Sequence, residues 1–296
     1  MIPAFLKPNS EIRIISPSGA INPEYIAGAA KVLAHWGLKV TEGKFARTVH
    51  GRFAGTTEQR ISDLQDAIDD VEVSAILCSR GGYGVVQLID KIDFSPLKKN
   101  PKWLVGFSDI TLLHSAFSNL QVASIHGIMA KHLTELLSTD DSVVFLKEIL
   151  FGKLPNYTIP PHALNRKGEA NAKIVGGNLS VLTAAIGSKF DLPYDGNILF
   201  LEEIDEKPYH IDRMLHNLRL CNVFKRISGL IVGQFRYCEE DSEMGHTIYE
   251  GIRSMAAEGN YPVCFNFPAG HVDCNLPIVL GQQARLQVGE QVHVSY

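Results

Sequence analysis

Short apolar runs alternate with amphipathic helical patterns through the first half of the chain, and this alternation restricts the fold more than any other feature. The runs that read as strands are EIRIIS, LKVTEG, VSAILCS and WLVGF, and the helical patterns between them are NPEYIAGAAKVLAHWG, TTEQRISDLQDAIDD and YGVVQLIDKI. Continuously apolar strands separated by helices are typical of a parallel sheet that is covered on both faces. We therefore predict an α/β fold whose N-terminal domain, residues 1–153, contains a doubly wound, mostly parallel sheet.

The ends of the first two helices are marked in the sequence. Pro23 stands near the start of the first helix and Gly37 lies just beyond its end, which are the preferred places for these residue types. Thr56 and Gln59 have the spacing of a capping box at the start of the second helix.

The pattern changes near residue 152. The stretch GKLPNYTIPPHALNRKGEANAK is rich in Pro, Gly, Asn and charge, and it predicts a linker over residues 154–172. Two helical patterns and several apolar runs follow it, in the order NLSVLTAAIG, ILFLEE, PYHIDRMLHNLRL, GLIVGQF, YPVCFNF and ARLQVGEQVHV. We predict a smaller, strand-rich C-terminal α/β domain over residues 173–296.

The composition argues against several classes of function. A net charge of -4 over 296 residues gives no basic surface for nucleic acid. No uncharged apolar run has membrane-spanning length, and the first residues lack the apolar segment of a secretion signal. The five cysteines are scattered without a CxxC pair, which favours reduced thiols in the cytoplasm over a disulfide framework.

The stretch WLVGFSDITLLH, residues 103–114, places polar residues between an apolar strand and a helical pattern. Ligands of open parallel sheets bind beyond the carboxyl ends of the strands, where Ser108 follows directly on WLVGF. Ser108 fits a nucleophile there, and the backbone amide of Asp109 at the helix start fits an oxyanion donor. Ser108 fits a simple helix cap equally well, because Ile110 stands where the G-x-S-x-G motif has glycine.

The stretch ILCSRGGYG, residues 76–84, repeats the same order of a strand, a turn and a helical pattern. Gly81 and Gly82 leave the backbone accessible, so an amide of this loop, that of Gly82, is a candidate second oxyanion donor. The loop lacks the Lys-Ser/Thr ending of a P-loop and the spacing of a dinucleotide-binding fingerprint. On local grounds a plain glycine turn remains the alternative.

A nucleophilic serine needs a base and an acid that orients the base. His271 lies in the polar, Gly- and Pro-flanked loop FPAGHVDCNLP, the kind of segment on which functional side chains are often mounted. Glu202 and Glu203 end the apolar run ILFLEE, and because successive strand residues face opposite ways, only one of them can point to a cleft. No metal site is predicted, since HExxH is absent and His126 and His132 are not four residues apart.

A series of motifs extends through nearly the whole chain, namely AGTTEQRISDLQDAIDD, AILCSRGGYG, VGFSDIT, SIHGIMA, VGGNLSVL, LFLEEIDEKPYHIDRML, IVGQF and AGHVDCNLPIVLG. In this order they resemble the LD-carboxypeptidase family of serine peptidases, also called muramoyltetrapeptide carboxypeptidases. The resemblance implies a triad of Ser108, Glu202 and His271, shared between two domains. The second acid of the LFLEE motif is usually Asp in the family, and here it is Glu203.

The resemblance also implies an activity: removal of the terminal D-alanine from a murein tetrapeptide in the cytoplasm, without a cofactor or metal, by an enzyme that is often a homodimer. Two alternatives stay open, a hydrolase of acyl-nucleotide amides like the microcin immunity proteins of the same family, and a non-catalytic muropeptide-binding module. Arg80 is a candidate for binding the terminal carboxylate, with a salt bridge at the sheet edge as the alternative.

Overall fold

The computed structural model describes residues 1–296 and divides into two compact units. Unit 1 comprises residues 1–153 together with Leu276–Gly281, and unit 2 comprises Leu154–Asn275 together with Gln282–Tyr296. No helix is both long enough and apolar enough to cross a membrane.

Unit 1 contains six strands and five helices. The strands are β1 (Glu11–Ile15), β2 (Lys39–Glu42), β3 (Val73–Cys78), β4 (Trp103–Gly106), β5 (Ser124–His126) and, from the distant segment, Ile278–Leu280. The helices are α1 (Pro23–His35), α2 (Thr57–Asp69), α3 (Thr111–Asn119), α4 (Ala130–Glu135) and α5 (Asp141–Leu150).

The sheet of unit 1 is mostly parallel. The first five strands pair in the order β5-β4-β3-β1-β2, all in parallel, and Ile278–Leu280 joins the β5 edge in antiparallel orientation. The carboxyl ends of β1, β3 and β4 therefore lie along one edge of the sheet. Nearly every residue of these three strands is buried, as expected for a sheet covered on both faces.

The first two helices of unit 1 match the sequence predictions, and the third predicted helix does not. α1 begins at Pro23, and α2 has the predicted capping box of Thr56 and Gln59. The predicted helix YGVVQLIDKI is wrong, because this segment forms only two short 3-10 turns, Val85–Gln87 and Ile89–Lys91. The apolar spacing of the segment is helical, but Leu88 between the two turns leaves the helical region with φ -124.

Unit 2 contains a seven-stranded mixed sheet and four helices. Its strands are β6 (Asn156–Ile159), β7 (Gly168–Asn178), β8 (Ile198–Ile204), β9 (Gly229–Arg236), β10 (Val263–Cys264), then, after β11 (Ile278–Leu280) of unit 1, β12 (Gln283–Val288) and β13 (Val292–Ser295). Its helices are α6 (Leu179–Ala185), α7 (Pro208–Leu220), α8 (Val223–Arg226) and α9 (Ile248–Ala256). The strand order is β10-β9-β8-β7-β12-β13-β6, parallel from β10 to β7 and antiparallel beyond.

The fold is thus the α/β class that the sequence predicts, with a mostly parallel first sheet and a strand-rich second one. The segment 154–172 differs from the predicted linker, because it carries β6 and the first part of β7. In β6 exposed residues alternate with buried ones, as in a strand with one covered face. The high content of Pro, Asn and charge in the whole segment obscures this strand pattern in the sequence. The segment 276–281, predicted to lie in the C-terminal domain, instead supplies an edge strand to the sheet of unit 1.

Candidate active site

Ser108 lies at the carboxyl end of β4, on the turn that leads into α3. Its backbone is left-handed, with φ +65, a conformation that costs a residue with a side chain about 1–2 kcal/mol. The residue at the N-cap position of this 3-10 turn is Phe107, and that of α3 is Ile110. Ser108 is therefore not the helix cap that the sequence left open, and its half-buried side chain stands on a strained strand-to-helix turn.

The glycine loop after β3 closes on this turn. A Cβ atom on Gly81 would lie 2.8 Å from Cβ and 3.1 Å from Oγ of Ser108, so only glycine allows this approach. The next residue, Gly82, is exposed. The backbone amides of Gly82 and Asp109 donate to no other backbone carbonyl, which leaves both available to an oxyanion.

In unit 2, the structure brings Glu202 and His271 together. His271 Nδ1 lies 2.8 Å from Glu202 Oε2. The Glu202 side chain is fully buried, whereas 16% of the His271 side chain is exposed. With a carboxylate as acceptor, Nδ1 is the donor, and in the neutral ring the lone pair then lies on Nε2, the atom that acts as a general base.

The backbone around this pair has two unusual features. The pairing of β8 with β9 shifts by one residue between Leu201 and Glu203, and such bulges redirect side chains. Gly270, with φ +124, approaches Glu202 so closely that a Cβ would lie 3.0 Å from Oε2. The amide of Gly270 donates to Asn275 Oδ1 at 2.9 Å, which anchors the loop that carries His271.

Glu203 faces a different partner set. Its carboxylate accepts from the Asn178 side-chain amide at 2.6 Å and from the backbone amides of Ser180 at 2.7 Å and Ile204 at 2.8 Å. Burial raises the pKa of Glu203 to about 7, and the neighbouring charge of Glu202 acts in the same direction, against these hydrogen bonds. Glu203 therefore supports the start of α6, and Glu202 is the acid that meets the histidine.

Ser18 also belongs to this region, although no motif of the sequence indicates it. Ser18 lies in the turn SPSG after β1, and its Oγ donates to Asp109 Oδ2 at 2.5 Å. A polar turn directly after a buried strand, at the edge that carries Ser108, was the available signal. The contact itself joins residues 91 positions apart, which local patterns do not reveal.

Arg80 in unit 1 and a surface cavity in unit 2 are two further candidate binding features. Arg80 is exposed beside Gly81, and its Nη1 donates to the Ala20 carbonyl at 2.7 Å rather than to a carboxylate. In unit 2, a cavity of about 340 Å³ is lined by residues that include Val272, the neighbour of His271 in the chain, namely Ile159, Pro160, Gln234, Asn266, Pro268, Val272 and Cys274. Its lining has no charged side chain.

Similarity to known proteins identifies the class of enzyme. The family model described as the LD-carboxypeptidase N-terminal domain matches residues 12–127, and the model of the LD-carboxypeptidase C-terminal domain matches residues 171–286. The chain belongs to the LD-carboxypeptidase family, and it is a carboxypeptidase of the serine peptidase class.

Individual relatives agree with this assignment. The chain is 32% identical to a probable murein peptide carboxypeptidase of Bacillus subtilis, over 99% of this chain and 93% of the relative. The crystal structure of muramoyltetrapeptide carboxypeptidase from Oxalobacter formigenes superposes with a TM-score of 0.87 at 26% identity, covering 96% of this chain and 98% of that one. MccF in complex with glutamyl sulfamoyl guanosine has a TM-score of 0.88 at 19% identity, covering 99% and 98%, and shares the fold.

Proposed function

We propose that this enzyme removes the terminal D-alanine from murein tetrapeptides, with Ser108 as nucleophile, His271 as general base and Glu202 as the acid that orients the histidine. The observation that carries the proposal is the hydrogen bond of 2.8 Å between His271 and the fully buried Glu202. This hydrogen bond supports the base role, because the histidine of a serine peptidase triad is oriented by an acid in the same way.

The reaction begins at Ser108 Oγ. This atom attacks the carbonyl carbon of the bond between the L-centre of the third residue and the terminal D-alanine, while His271 Nε2 takes the serine proton. The tetrahedral oxyanion accepts hydrogen bonds from the amides of Gly82 and Asp109, and the loss of one such donor costs about 3–4 kcal/mol.

The second half releases the products. His271 returns its proton to the amine of D-alanine, which leaves and breaks the peptide bond. Water then attacks the acyl-enzyme, again with His271 as base, and frees Ser108. The carboxylate of Glu202 keeps its hydrogen bond to Nδ1 and stabilises the imidazolium that forms in each half.

Two features support a peptide with a free C-terminus as substrate. Arg80 is an exposed cation beside the glycine loop, and a guanidinium pairs with a carboxylate through two hydrogen bonds. The cavity that includes Val272, the residue after His271, has the size of a small-ligand site, and its uncharged lining suits neutral peptide groups.

The setting proposed for the reaction is cell-wall recycling, which the family resemblance implies, in the cytoplasm, which the scattered cysteines favour. A homodimer, a catalytic cycle without a cofactor, and the absence of nucleic-acid and membrane partners stay predictions from the sequence.

The test is mass spectrometry of the products after incubation with a murein tetrapeptide. We expect loss of one alanine from the peptide ending in D-alanine and no cleavage of the peptide ending in L-alanine. Ser108→Ala abolishes the reaction, whereas Ser115→Ala, on the adjacent helix and bonded only to the Thr111 carbonyl, serves as the matched control.

The same experiment addresses the alternatives. Hydrolysis of an aminoacyl sulfamoyl nucleoside in preference to the tetrapeptide would favour the microcin-type activity, which the shared fold with MccF brings into consideration. Binding of the tetrapeptide without any cleavage would show a binding module and contradict the proposed mechanism.

A further inference from the structure

The side chain of Asp109 lies in the interior of unit 1, and the mechanism above uses only its backbone amide. Only 5% of the residue is exposed. Burial raises the pKa of Asp109, although hydrogen bonds and the charge of Arg60 act against this rise. A carboxylate is expensive to bury unless it is hydrogen-bonded, so its partners indicate what it does.

Those partners come from two other loops. Asp109 Oδ2 accepts from Ser18 Oγ at 2.5 Å and from the backbone amide of Val85 at 3.0 Å. Ser18 follows β1, Val85 follows β3, and Asp109 itself follows β4. Because these three strands are consecutive in the sheet, a single carboxylate oxygen joins all three loops at the edge that carries Ser108.

Arg60 binds the same two loops from α2. Its Nη1 donates to the Pro17 carbonyl at 3.1 Å and to the Gly84 carbonyl at 3.0 Å, and only 1% of the residue is exposed. Pro17 and Gly84 directly precede the two donors of Asp109 in the chain. In each of these two loops, Asp109 therefore accepts a hydrogen bond from one residue and Arg60 donates a hydrogen bond to the carbonyl of the residue before it.

The turn that carries Ser108 requires such support. A left-handed residue with a side chain persists only where its surroundings hold it, because the conformation is unfavourable by itself. The glycine loop must also stay in contact with Ser108, since Gly81 packs directly against the serine Cβ.

We propose that the Asp109 carboxylate is a positioning residue, which locks the nucleophile turn to the loops after β1 and β3 and so fixes Ser108 relative to the amides of Gly82 and Asp109. The inference rests on the proposed serine mechanism. It assigns the Asp109 side chain a part in catalysis through geometry, without contact to the substrate.

The test compares Asp109→Ala, which removes the acceptor of both hydrogen bonds, with the wild-type enzyme in two measurements. The first is the second-order rate at which a fluorophosphonate labels the active-site serine, which requires the nucleophile and the oxyanion donors but no peptide. The second is kcat and KM for release of D-alanine. A displacement of about 1 Å costs about 100-fold in rate, so we expect labelling and kcat to fall by about that factor with KM unchanged.

Ser18→Ala and Asp63→Ala complete the set. Ser18→Ala removes one of the two donors, so its loss is smaller, and it adds little in the Asp109→Ala background because the acceptor of the Ser18 hydrogen bond is already absent. Asp63 is the matched control: it is 4% exposed and accepts from the Phe45 amide at 2.9 Å, on the loop after the edge strand β2. Asp63→Ala lowers the melting temperature and leaves labelling unchanged.

Every result supports or overturns the inference. Labelling of folded Asp109→Ala at the wild-type rate overturns it, and so does an equal loss in Asp63→Ala. If Asp109→Ala does not fold, Ser18→Ala decides, because wild-type labelling of that variant excludes the role. A wild-type enzyme that the fluorophosphonate does not label refutes the serine mechanism itself, which is a different result.

Discussion

Replacing Glu202 by glutamine tests the proposed triad most directly, since the substitution keeps the size of the side chain and removes its charge. In the proposed mechanism His271 becomes an imidazolium during each proton transfer, and its Nδ1 lies 2.8 Å from Glu202 Oε2. Opposite charges at 2.8 Å attract by about 6 kcal/mol at an effective dielectric constant of about 20. Each 1.4 kcal/mol or so is a factor of about 10 in rate, so kcat should fall by about 10⁴-fold.

This magnitude agrees with the loss of about 10⁴-fold that follows the equivalent acid-to-amide change in another serine peptidase triad. KM should change little, because the lost attraction acts on the transition state and not on the bound substrate. Glu202 Oε1 accepts no hydrogen bond, so no second contact of the carboxylate complicates the comparison.

Glu203→Gln is the control, because the neighbouring acid is equally buried and differs in its partners. Its carboxylate contacts the start of α6 and not His271, so we expect turnover within about tenfold of wild type. The assay is D-alanine release together with the melting temperature of both variants. A larger loss of turnover in Glu203→Gln than in Glu202→Gln would show that the wrong acid has been assigned.

Three other changes give separate tests. Ser108→Gly should abolish D-alanine release and keep or raise the melting temperature. Glycine adopts φ +65 without the cost of about 1–2 kcal/mol that alanine retains in Ser108→Ala. A lower melting temperature for Ser108→Gly than for Ser108→Ala would contradict the strained turn. Arg80→Gln should raise KM for the tetrapeptide and should not change the slower hydrolysis of the same peptide with a C-terminal amide. The control is Arg52→Gln, because the Arg52 guanidinium lies near the Tyr83 ring. Equal effects of Arg80→Gln on the free peptide and on its amide would exclude the carboxylate contact. The pKa of Glu203 in the folded protein, about 7, exceeds the ordinary value of 4.5. Between these two pH values the folded state therefore binds a proton that the unfolded state does not. The stabilisation from this proton is complete below about pH 4.5 and is lost as pH rises through about 7. Melting curves from pH 5 to 8 should therefore fall more steeply for wild type than for Glu203→Gln, and parallel curves would refute this assignment.

The sequence predicts elements whose signals are local and misses those that depend on distant partners. α1 and α2 carry their own start signals in Pro23 and the Thr56–Gln59 box, and the structure confirms both. β11 has no local signal that it belongs to the first sheet, because its partner β5 lies about 150 residues earlier in the chain. The helix predicted over YGVVQLIDKI fails because the segment is held by contacts such as Val85 to Asp109, which apolar spacing cannot express.

The candidate site shows the same division. The resemblance to the family indicates Ser108, Glu202 and His271, whereas strand alternation alone left the choice between Glu202 and Glu203 open. The structure distinguishes the two acids by their partners, at a point where the pairing of β8 with β9 shifts register. Asp109 was singled out for its amide, and the contacts of its carboxylate depend on how β1, β3 and β4 lie side by side.

Strand β11 prevents this chain from being divided into two independently expressed halves. Leu276–Gly281 reach the sheet of unit 1 only after the chain has passed through most of unit 2. A fragment that ends at Lys153 lacks this strand and leaves the edge of β5 unpaired, and an open, apolar strand edge recruits other chains. The C-terminal family domain, residues 171–286, includes the segment, so its boundaries are unsuitable for truncation. A shortened or circularly permuted enzyme should therefore retain Leu276–Gly281 in the same polypeptide as residues 1–153.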